Sequence, residues 1–124
     1  MKCPKCEAVM EDIVIEHADV KRCTLCKGMW FERGVLEYLK NYPEAANYDI
    51  GDEDVGQSMN EKSRINCPDC QAPMIRMVVP DQHHIWYESC SKCFSSFFDA
   101  GELSDYVEKD FMDVLKSLIT PERS

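Results

Sequence analysis

The sequence lacks several features that would define its class immediately. No run approaches the roughly 18–20 consecutive apolar residues of a transmembrane helix, so we expect no membrane partner. The N-terminus has no apolar signal-peptide core, which favours a cytoplasmic location. Basic residues are few: 14 lysines and arginines face 23 aspartates and glutamates, for a formal charge of −9. Phosphate backbones repel such a chain, so the charge disfavours nucleic-acid binding without excluding it.

The signatures of an enzyme are also missing. The sequence shows no nucleophile–base constellation and no phosphate-binding loop, and we expect no catalytic residues. At 124 residues the chain is long enough for one ordinary domain or two very small ones. A module of about 40 residues usually needs a metal or a disulfide because its hydrophobic core is too small.

Cysteine, by contrast, is abundant and regularly spaced. All eight cysteines fall in C-x-x-C pairs, with 16 residues between the pairs of the first half and 19 between those of the second. Both gaps fit the C-x2-C-x15–20-C-x2-C pattern of zinc sites. Thiols stay reduced in the cytosol, which favours metal binding over disulfides. The pairs are Cys3 and Cys6, Cys23 and Cys26, Cys67 and Cys70, and Cys90 and Cys93.

We therefore expect two Zn²⁺ ions, each held by the four cysteines of one half. A closed shell of four thiolates has no open coordination position, which indicates a structural site rather than a catalytic one. Three alternatives remain at this stage. The first and third pairs can share a metal, iron can replace zinc in a rubredoxin-like electron carrier, or one pair can act as a redox dithiol.

The cysteines belong to a unit that occurs twice. Cys3-Pro4-Lys5-Cys6 matches Cys67-Pro68-Asp69-Cys70, and the run 30–36 matches the run 97–103. Each unit contains a predicted hairpin, a third short strand and a helix. The predicted fold class is a small metal-bound α+β protein: two zinc ribbons, each a short antiparallel sheet with two C-x-x-C knuckles followed by a helix.

The predicted domain boundaries follow from this repeat. The first ribbon covers residues 1–40, an acidic flexible linker 41–65, the second ribbon 66–108 and an extension of the terminal helix 109–124. That long helix is expected from about Ala100 to Ile119, beginning with a capping box of Asp99 and Glu102. Its apolar stripe, which includes Phe111, predicts a protein partner or self-association through the C-terminal helix.

The aromatic residues, the histidines and the lysines near the first knuckles are predicted to be structural or surface residues rather than parts of a functional site. Trp30 and Phe97 are expected in the small core, beside the helix. Trp86 and Tyr87 are adjacent on a strand, so one of them should be exposed. The histidines, His17, His83 and His84, are expected in surface turns, and the lysines near the first knuckles, including Lys5, on a mixed solvated surface.

The combined pattern resembles the transcription-factor-IIB-type zinc-finger family of small, mostly bacterial proteins. The resemblance rests on the cysteine pairs with Gly28, Trp30 and the run Gly34-Val35-Leu36, and in the second half on Asp99 to Leu103. It implies a zinc ribbon with the eight cysteines as ligands, but it does not imply that the protein is a transcription factor. Four positions depart from the family, which usually has glycine after the second cysteine of each knuckle, so we expect backbone strain there. These residues are Glu7, Lys27, Gln71 and Phe94.

Taken together, these patterns predict a structural-zinc module that acts in protein–protein interaction or as an adaptor. The alternatives are a nucleic-acid-binding or transcription-linked ribbon and an iron electron carrier.

Overall fold

The computed structural model describes residues 1–61, 65–79 and 82–107, and only the backbone at Asn60, Val79 and residues 82–84. Each half contributes a hairpin and a third short strand, as the sequence predicts. In the first half these are β1 (Met10–Ile15), β2 (Ala18–Cys23) and β3 (Met29–Phe31). In the second half they are β4 (Met74–Val79), β5 (Gln82–Cys90) and β6 (Ser96–Phe98).

Short helices follow the third strands. The first half continues into α1 (Val35–Leu39), a 3₁₀ helix (Pro43–Tyr48) and α2 (Glu53–Asn60). After β6, residues 102–107 are helical and are the last that the structure describes.

The two halves form one continuous antiparallel sheet. The strand order is β1-β2-β3-β6-β5-β4, so β3 of the first half pairs with β6 of the second. Trp30 lies opposite Phe97, and these two residues occupy equivalent places in the repeat. The two halves are therefore related by an approximate two-fold axis at the centre of the sheet. Neither half has a free edge at its third strand, because each third strand covers the other.

The alternation of side chains divides the sheet into two buried faces. One face carries α1, the 3₁₀ helix, the helical residues 102–107 and a core that draws on both halves, including Val20, Phe31, Leu36, Phe98 and Leu103. The other face carries the cysteines together with Trp30 and Phe97, which are 2% and 0% exposed. The two rings are core residues, as predicted, but they lie on the metal face, opposite α1 and the helical residues 102–107, because their strand neighbours Phe31 and Phe98 take the other face.

The segment between the ribbons is structured along much of its length. The sequence suggests a flexible linker, whereas the structure contains a 3₁₀ helix and α2 within residues 41–61. Ala45 of the 3₁₀ helix is completely buried in the core of the helical face. The backbone carbonyl of Tyr48 accepts a hydrogen bond of 2.9 Å from Arg22 of β2. The domain boundaries themselves stay a prediction.

The same segment caps the helix at residues 102–107. Asp49 Oδ1 accepts from the backbone N–H of Gly101 at 2.9 Å, and Oδ2 accepts from that of Ser104 at 3.0 Å. Burial raises the pKa of Asp49, and these N–H donors oppose that rise. The Asp99 side chain does not cap this helix as the predicted capping box requires, because it bonds Lys5 instead. A cap from about fifty residues away leaves no local sequence signal.

The predicted long C-terminal helix lies mostly outside the described residues. Helical structure begins where the sequence predicts it and continues to residue 107, with Leu103 and Val107 completely buried. The extension at 109–124, including Phe111, stays a prediction. Within the described ranges, no helix is both long enough and apolar enough to cross a membrane.

Candidate metal centres

The first candidate centre gathers the four cysteines of the first half. Two knuckles deliver them: one precedes β1, and the other joins β2 to β3. The Sγ atoms of Cys3 and Cys26 are 3.7 Å apart, and those of Cys6 and Cys23 are 3.3 Å apart. All four sulfur atoms lie within 4.8 Å of one another, and three of the four residues are buried.

The second centre repeats this arrangement on the other side of the two-fold axis. The Sγ atoms of Cys67 and Cys93 are 3.8 Å apart, and those of Cys70 and Cys90 are 3.2 Å apart. The four sulfur atoms again lie within 4.8 Å of one another. Each cluster uses the cysteines of its own half, so the alternative in which the first and third pairs share a metal is wrong.

Both clusters fit a tetrahedral metal ion. Zinc–sulfur bonds of about 2.3 Å place the sulfur atoms of a tetrahedron about 3.8 Å apart, close to the distances above. The distances are much longer than a disulfide bond, and all eight cysteines are free thiols. Each four-cysteine site can bind one zinc ion. The ion would be held by the four thiolates alone, and its chemistry there would be structural rather than catalytic.

The thiol pKa values in the two centres shift in both directions. Burial raises the pKa of Cys6 and Cys67, and the hydrogen bond with Cys3 raises that of Cys26. A hydrogen bond from Cys26 lowers the pKa of Cys3 to about 5, although burial opposes it. Burial also opposes ionisation of Cys90, but the backbone N–H groups of Cys93 and Lys92 lower its pKa to about 6. These N–H groups lie 3.4 and 3.3 Å from the Cys90 sulfur. The lowered pKa values of Cys3 and Cys90 favour metal binding at these two residues, because a thiol must lose its proton to become a ligand.

The expected strain is present at all four positions after the knuckles. The φ angles there lie between 63° and 68°, in the left-handed region that glycine adopts most easily. The left-handed turn lets the N–H of the residue donate back to the carbonyl of the first cysteine: in Gln71 this bond to Cys67 is 2.9 Å long. The residues are Glu7, Lys27, Gln71 and Phe94.

Replacement of Gln71 by glycine is therefore expected to stabilise the protein. The left-handed conformation costs a non-glycine residue about 1–2 kcal/mol, and the greater freedom of glycine in the unfolded chain offsets part of the gain. We expect Gln71→Gly to raise the free energy of unfolding by about 0.5–1 kcal/mol. Denaturant titration at saturating zinc measures this value. Asp69→Gly, at an exposed position of the same knuckle with no positive φ, is the control and should destabilise the protein.

The other residues considered from the sequence lie away from the clusters. His17 is exposed in the β1–β2 turn, with φ at 71°. The side chains of His83 and His84 lie outside the described part of the chain. Trp86 is 40% exposed and Tyr87 is half-buried on the opposite face, so the expectation that one of the two is exposed is confirmed.

A buried ion network lies beside the first centre, and no sequence pattern predicts it. Lys5, between two cysteine ligands, extends its Nζ to Glu88 Oε1 at 2.9 Å and to Asp99 Oδ2 at 2.6 Å. All three side chains are at most 1% exposed, so the expected solvated surface is wrong for Lys5. Burial raises the pKa of Asp99 to about 6, and Lys5 opposes that rise. The network joins the two halves across the metal face.

Comparison with known proteins supports the assignment of the first half. Residues 2–42 match the family model of the transcription factor zinc-finger, which is the zinc ribbon of transcription-factor-IIB type. Residues 2–42 are therefore similar to a zinc ribbon of this kind, and the second four-cysteine cluster is compatible with a second one. No curated protein and no solved structure matches the chain.

Proposed function

We propose that this chain is a cytoplasmic protein-interaction or adaptor module, with two structural zinc ions, that acts by binding rather than by catalysis. The observation that supports the proposal best is an exposed apolar pair at the first metal centre. Leu25, at the tip of a knuckle, is 70% exposed, and Val9 is 65% exposed. The neighbouring Thr24 holds the two chain segments of this surface together, because its hydroxyl donates to the carbonyl of Val9 at 2.7 Å.

The equivalent surface of the second half is built differently. Ser91 repeats the hydrogen bond of Thr24 by donating to the carbonyl of Pro73 at 3.0 Å, so the backbone arrangement is the same. At the knuckle tip, however, Lys92 replaces Leu25. The apolar tip is thus not a requirement of the fold. Exposed apolar groups rimmed by polar residues are typical of protein-contact surfaces.

Charge pairing further favours a protein partner over nucleic acid. Nucleic-acid binding needs cations that are free to contact phosphates. On β2, Lys21 pairs with Asp12, and Arg22 pairs with Glu11 at 3.0 Å. Lys5 lies inside the buried network. Three of the basic residues near the first centre, Lys5, Lys21 and Arg22, therefore face carboxylates, which agrees with the overall charge of −9.

A substitution that copies the second knuckle into the first tests the proposal. Leu25→Lys keeps the fold, because lysine occupies the equivalent position at residue 92. Burial of a leucine in a complex contributes about 1.5–3 kcal/mol to binding. We therefore expect Leu25→Lys to lower the affinity for the partner about tenfold or more. The measurement is quantitative affinity capture from the native host with the zinc-loaded parent and variant.

Lys92→Leu is the matched control, since it makes the reciprocal change at the other knuckle and should leave capture unchanged. Bound zinc should stay at two ions in both variants. If the parent and Leu25→Lys capture the partner equally well, the surface of Leu25 and Val9 is not the contact with the partner. A shift of nucleic acid by the parent at low salt would instead support the nucleic-acid alternative.

A further inference from the structure

A cleft of about 330 Å³ opens on the metal face of the first half. Lys21 lies opposite Trp30 in the register of β2 and β3, so the side chains of both point to this face. The lining of the cleft, which we call the acidic cleft, combines one aromatic ring and one lysine with three carboxylates. These side chains belong to Asp12, Asp19, Lys21, Trp30 and Glu32.

Two of the three carboxylates have no cation beside them. Lys21 is the basic residue of the lining, and it pairs with Asp12. The register of β2 and β3 brings Asp19 and Glu32 next to each other, and within residues 1–61, 65–79 and 82–107 neither forms an ion pair. Like charges that lie opposite each other on neighbouring strands are destabilising. A further cation in the acidic cleft would relieve this repulsion.

The approximate two-fold axis gives the acidic cleft a counterpart in the second half, and a lysine fills that counterpart. A constant offset of 67 residues relates Trp30 to Phe97 and Glu32 to Asp99. The Nζ atom of Lys5 lies 2.6 Å from Asp99 Oδ2 and 5.7 Å from the centre of the Phe97 ring. An ammonium over an aromatic face is attracted by the ring as well as by the carboxylate.

The first half receives no equivalent lysine from its neighbour. Lys5 belongs to the first knuckle of the opposite half, and an offset of 64 residues relates Cys3 to Cys67. The residue equivalent to Lys5 is therefore Asp69, which is exposed and negatively charged. The acidic cleft thus keeps the ring and the carboxylate of the buried site but lacks a cation from its own chain.

The number of available carboxylates is the same in the two sites. In the first half Lys21 stands at the position of Glu88, but its charge is already used by Asp12. Asp19 stands at the position of Trp86 and supplies a carboxylate that the second half lacks there. Two unpaired carboxylates therefore line the acidic cleft, as many as surround the lysine of the second half.

We propose that the acidic cleft binds a lysine side chain of a protein partner, with the ammonium beside Asp19 and Glu32 and the alkyl stem over Trp30. Tryptophan attracts a cation more strongly than the phenylalanine of the second half does. Lysine can bury its stem on an apolar surface while its charge stays with polar groups. This cleft is separate from the surface of Leu25 and Val9, so the inference does not depend on that surface.

Titration of the zinc-loaded full-length chain with the peptide acetyl-Gly-Gly-Lys-Gly-Gly-amide tests the proposal. The measurement is the NMR shift of the Trp30 indole N–H in low-salt buffer, where attraction between exposed charges is strongest. We expect a saturable shift that is absent with the same peptide carrying norleucine in place of lysine. Glu32→Gln should weaken binding about threefold or more. The control is Glu44→Gln, which removes the same charge from an exposed position of the 3₁₀ helix and should leave the affinity unchanged.

A lysine supplied by the chain itself gives a second test. Asp69→Lys introduces one at the position equivalent to Lys5. We expect the new side chain to occupy the acidic cleft and to weaken peptide binding about tenfold or more, because a competitor within the molecule acts at a high effective concentration. Asp69→Asn removes the same negative charge without adding an ammonium, and this control should retain peptide binding.

Binding that requires the peptide lysine, that Glu32→Gln weakens and that Asp69→Lys blocks supports the proposal. Equal shifts with the norleucine peptide or with magnesium chloride alone would overturn it, because the cleft would then not select an alkylammonium group. An unshifted Trp30 signal in the parent would overturn it as well. The same holds if Glu32→Gln or Asp69→Lys binds the peptide as tightly as the parent does.

Discussion

Loss of zinc from the second centre is expected to weaken the first centre, and loss of both ions is expected to unfold the whole chain. Binding of a structural zinc ion contributes on the order of 10–16 kcal/mol in zinc-finger peptides. This range matches or exceeds the entire stability of a typical domain, about 5–15 kcal/mol. Neither half has enough apolar core to replace the metal contribution.

The coupling between the centres follows from the shared sheet. β3 and β6 pair directly, with Met29 opposite Phe98 and Trp30 opposite Phe97. Unfolding of the second half therefore exposes the edge of β3 and the buried rings of Trp30 and Phe31 in the first half. Part of the free energy of zinc binding at the first centre is then needed to fold the first half without its neighbour, and this lowers the apparent zinc affinity. We expect Cys90→Ser to lower the zinc affinity of the first centre at least tenfold, and exhaustive chelation to remove all cooperative structure.

Competition with a chromogenic chelator, followed together with circular dichroism, measures both effects. Lys92→Ser, a substitution within the same knuckle that spares the ligands, is the control and should retain both affinities. Metal analysis of the purified protein at the same time distinguishes zinc from iron. An unchanged first centre in Cys90→Ser would show that the ribbons are independent. A chain that stays cooperatively folded without metal would contradict the structural role of the centres.

Replacement of Lys5 by methionine is expected to cause the largest loss of stability outside the metal ligands. The substitution leaves Glu88 and Asp99 buried without their shared cation. Removal of one member of a buried ion network typically costs about 3–5 kcal/mol, because the remaining charges stay desolvated. Arg76, at 3.5 Å from Glu88, is half-exposed and cannot replace Lys5 at Asp99.

A rescue experiment separates the charge effect from a loss of packing. Addition of Glu88→Gln and Asp99→Asn to Lys5→Met removes the unpaired charges while it keeps the side-chain shapes. We expect the triple variant to recover most of the lost free energy of unfolding in denaturant titrations at saturating zinc. Lys2→Met, at an exposed position nearby, is the control and should change stability by less than about 0.5 kcal/mol. A triple variant as unstable as Lys5→Met would indicate that the lysine acts through packing.

Cysteine spacing alone is enough to predict the two four-cysteine clusters. Both C-x-x-C pairs of each half are held close by hairpin connections, so their sulfur atoms converge for local reasons. The short strands Met29–Phe31 and Ser96–Phe98 were also predictable, since an apolar run directly follows each second knuckle. The positive φ angles at Gln71 and its three equivalents follow from the same knuckle geometry.

The relation between the halves was not predictable in this way. No local pattern indicates that β3 pairs with β6. Both are short apolar strands, and the sequence is equally compatible with a helix that covers each of them. The capping of Gly101 and Ser104 by Asp49 and the pairing of Lys5 with Asp99 join residues far apart in the chain. A lysine next to a zinc knuckle is usually solvated, so only its position against the second half shows that it is buried.

The amino-acid sequence by itself determined the two four-cysteine centres, the hairpins that carry them and the acidic character of the chain. These properties depend on residues close together in the chain or on composition. Only the tertiary structure decided that the two ribbons form one sheet, with Lys5 buried between them and Asp49 capping a distant helix. The physical reason is that an unpaired strand edge and a buried charge each need a partner. The sequence offers several possible partners for each, and only the folded geometry selects the combination in which every edge and every charge is paired.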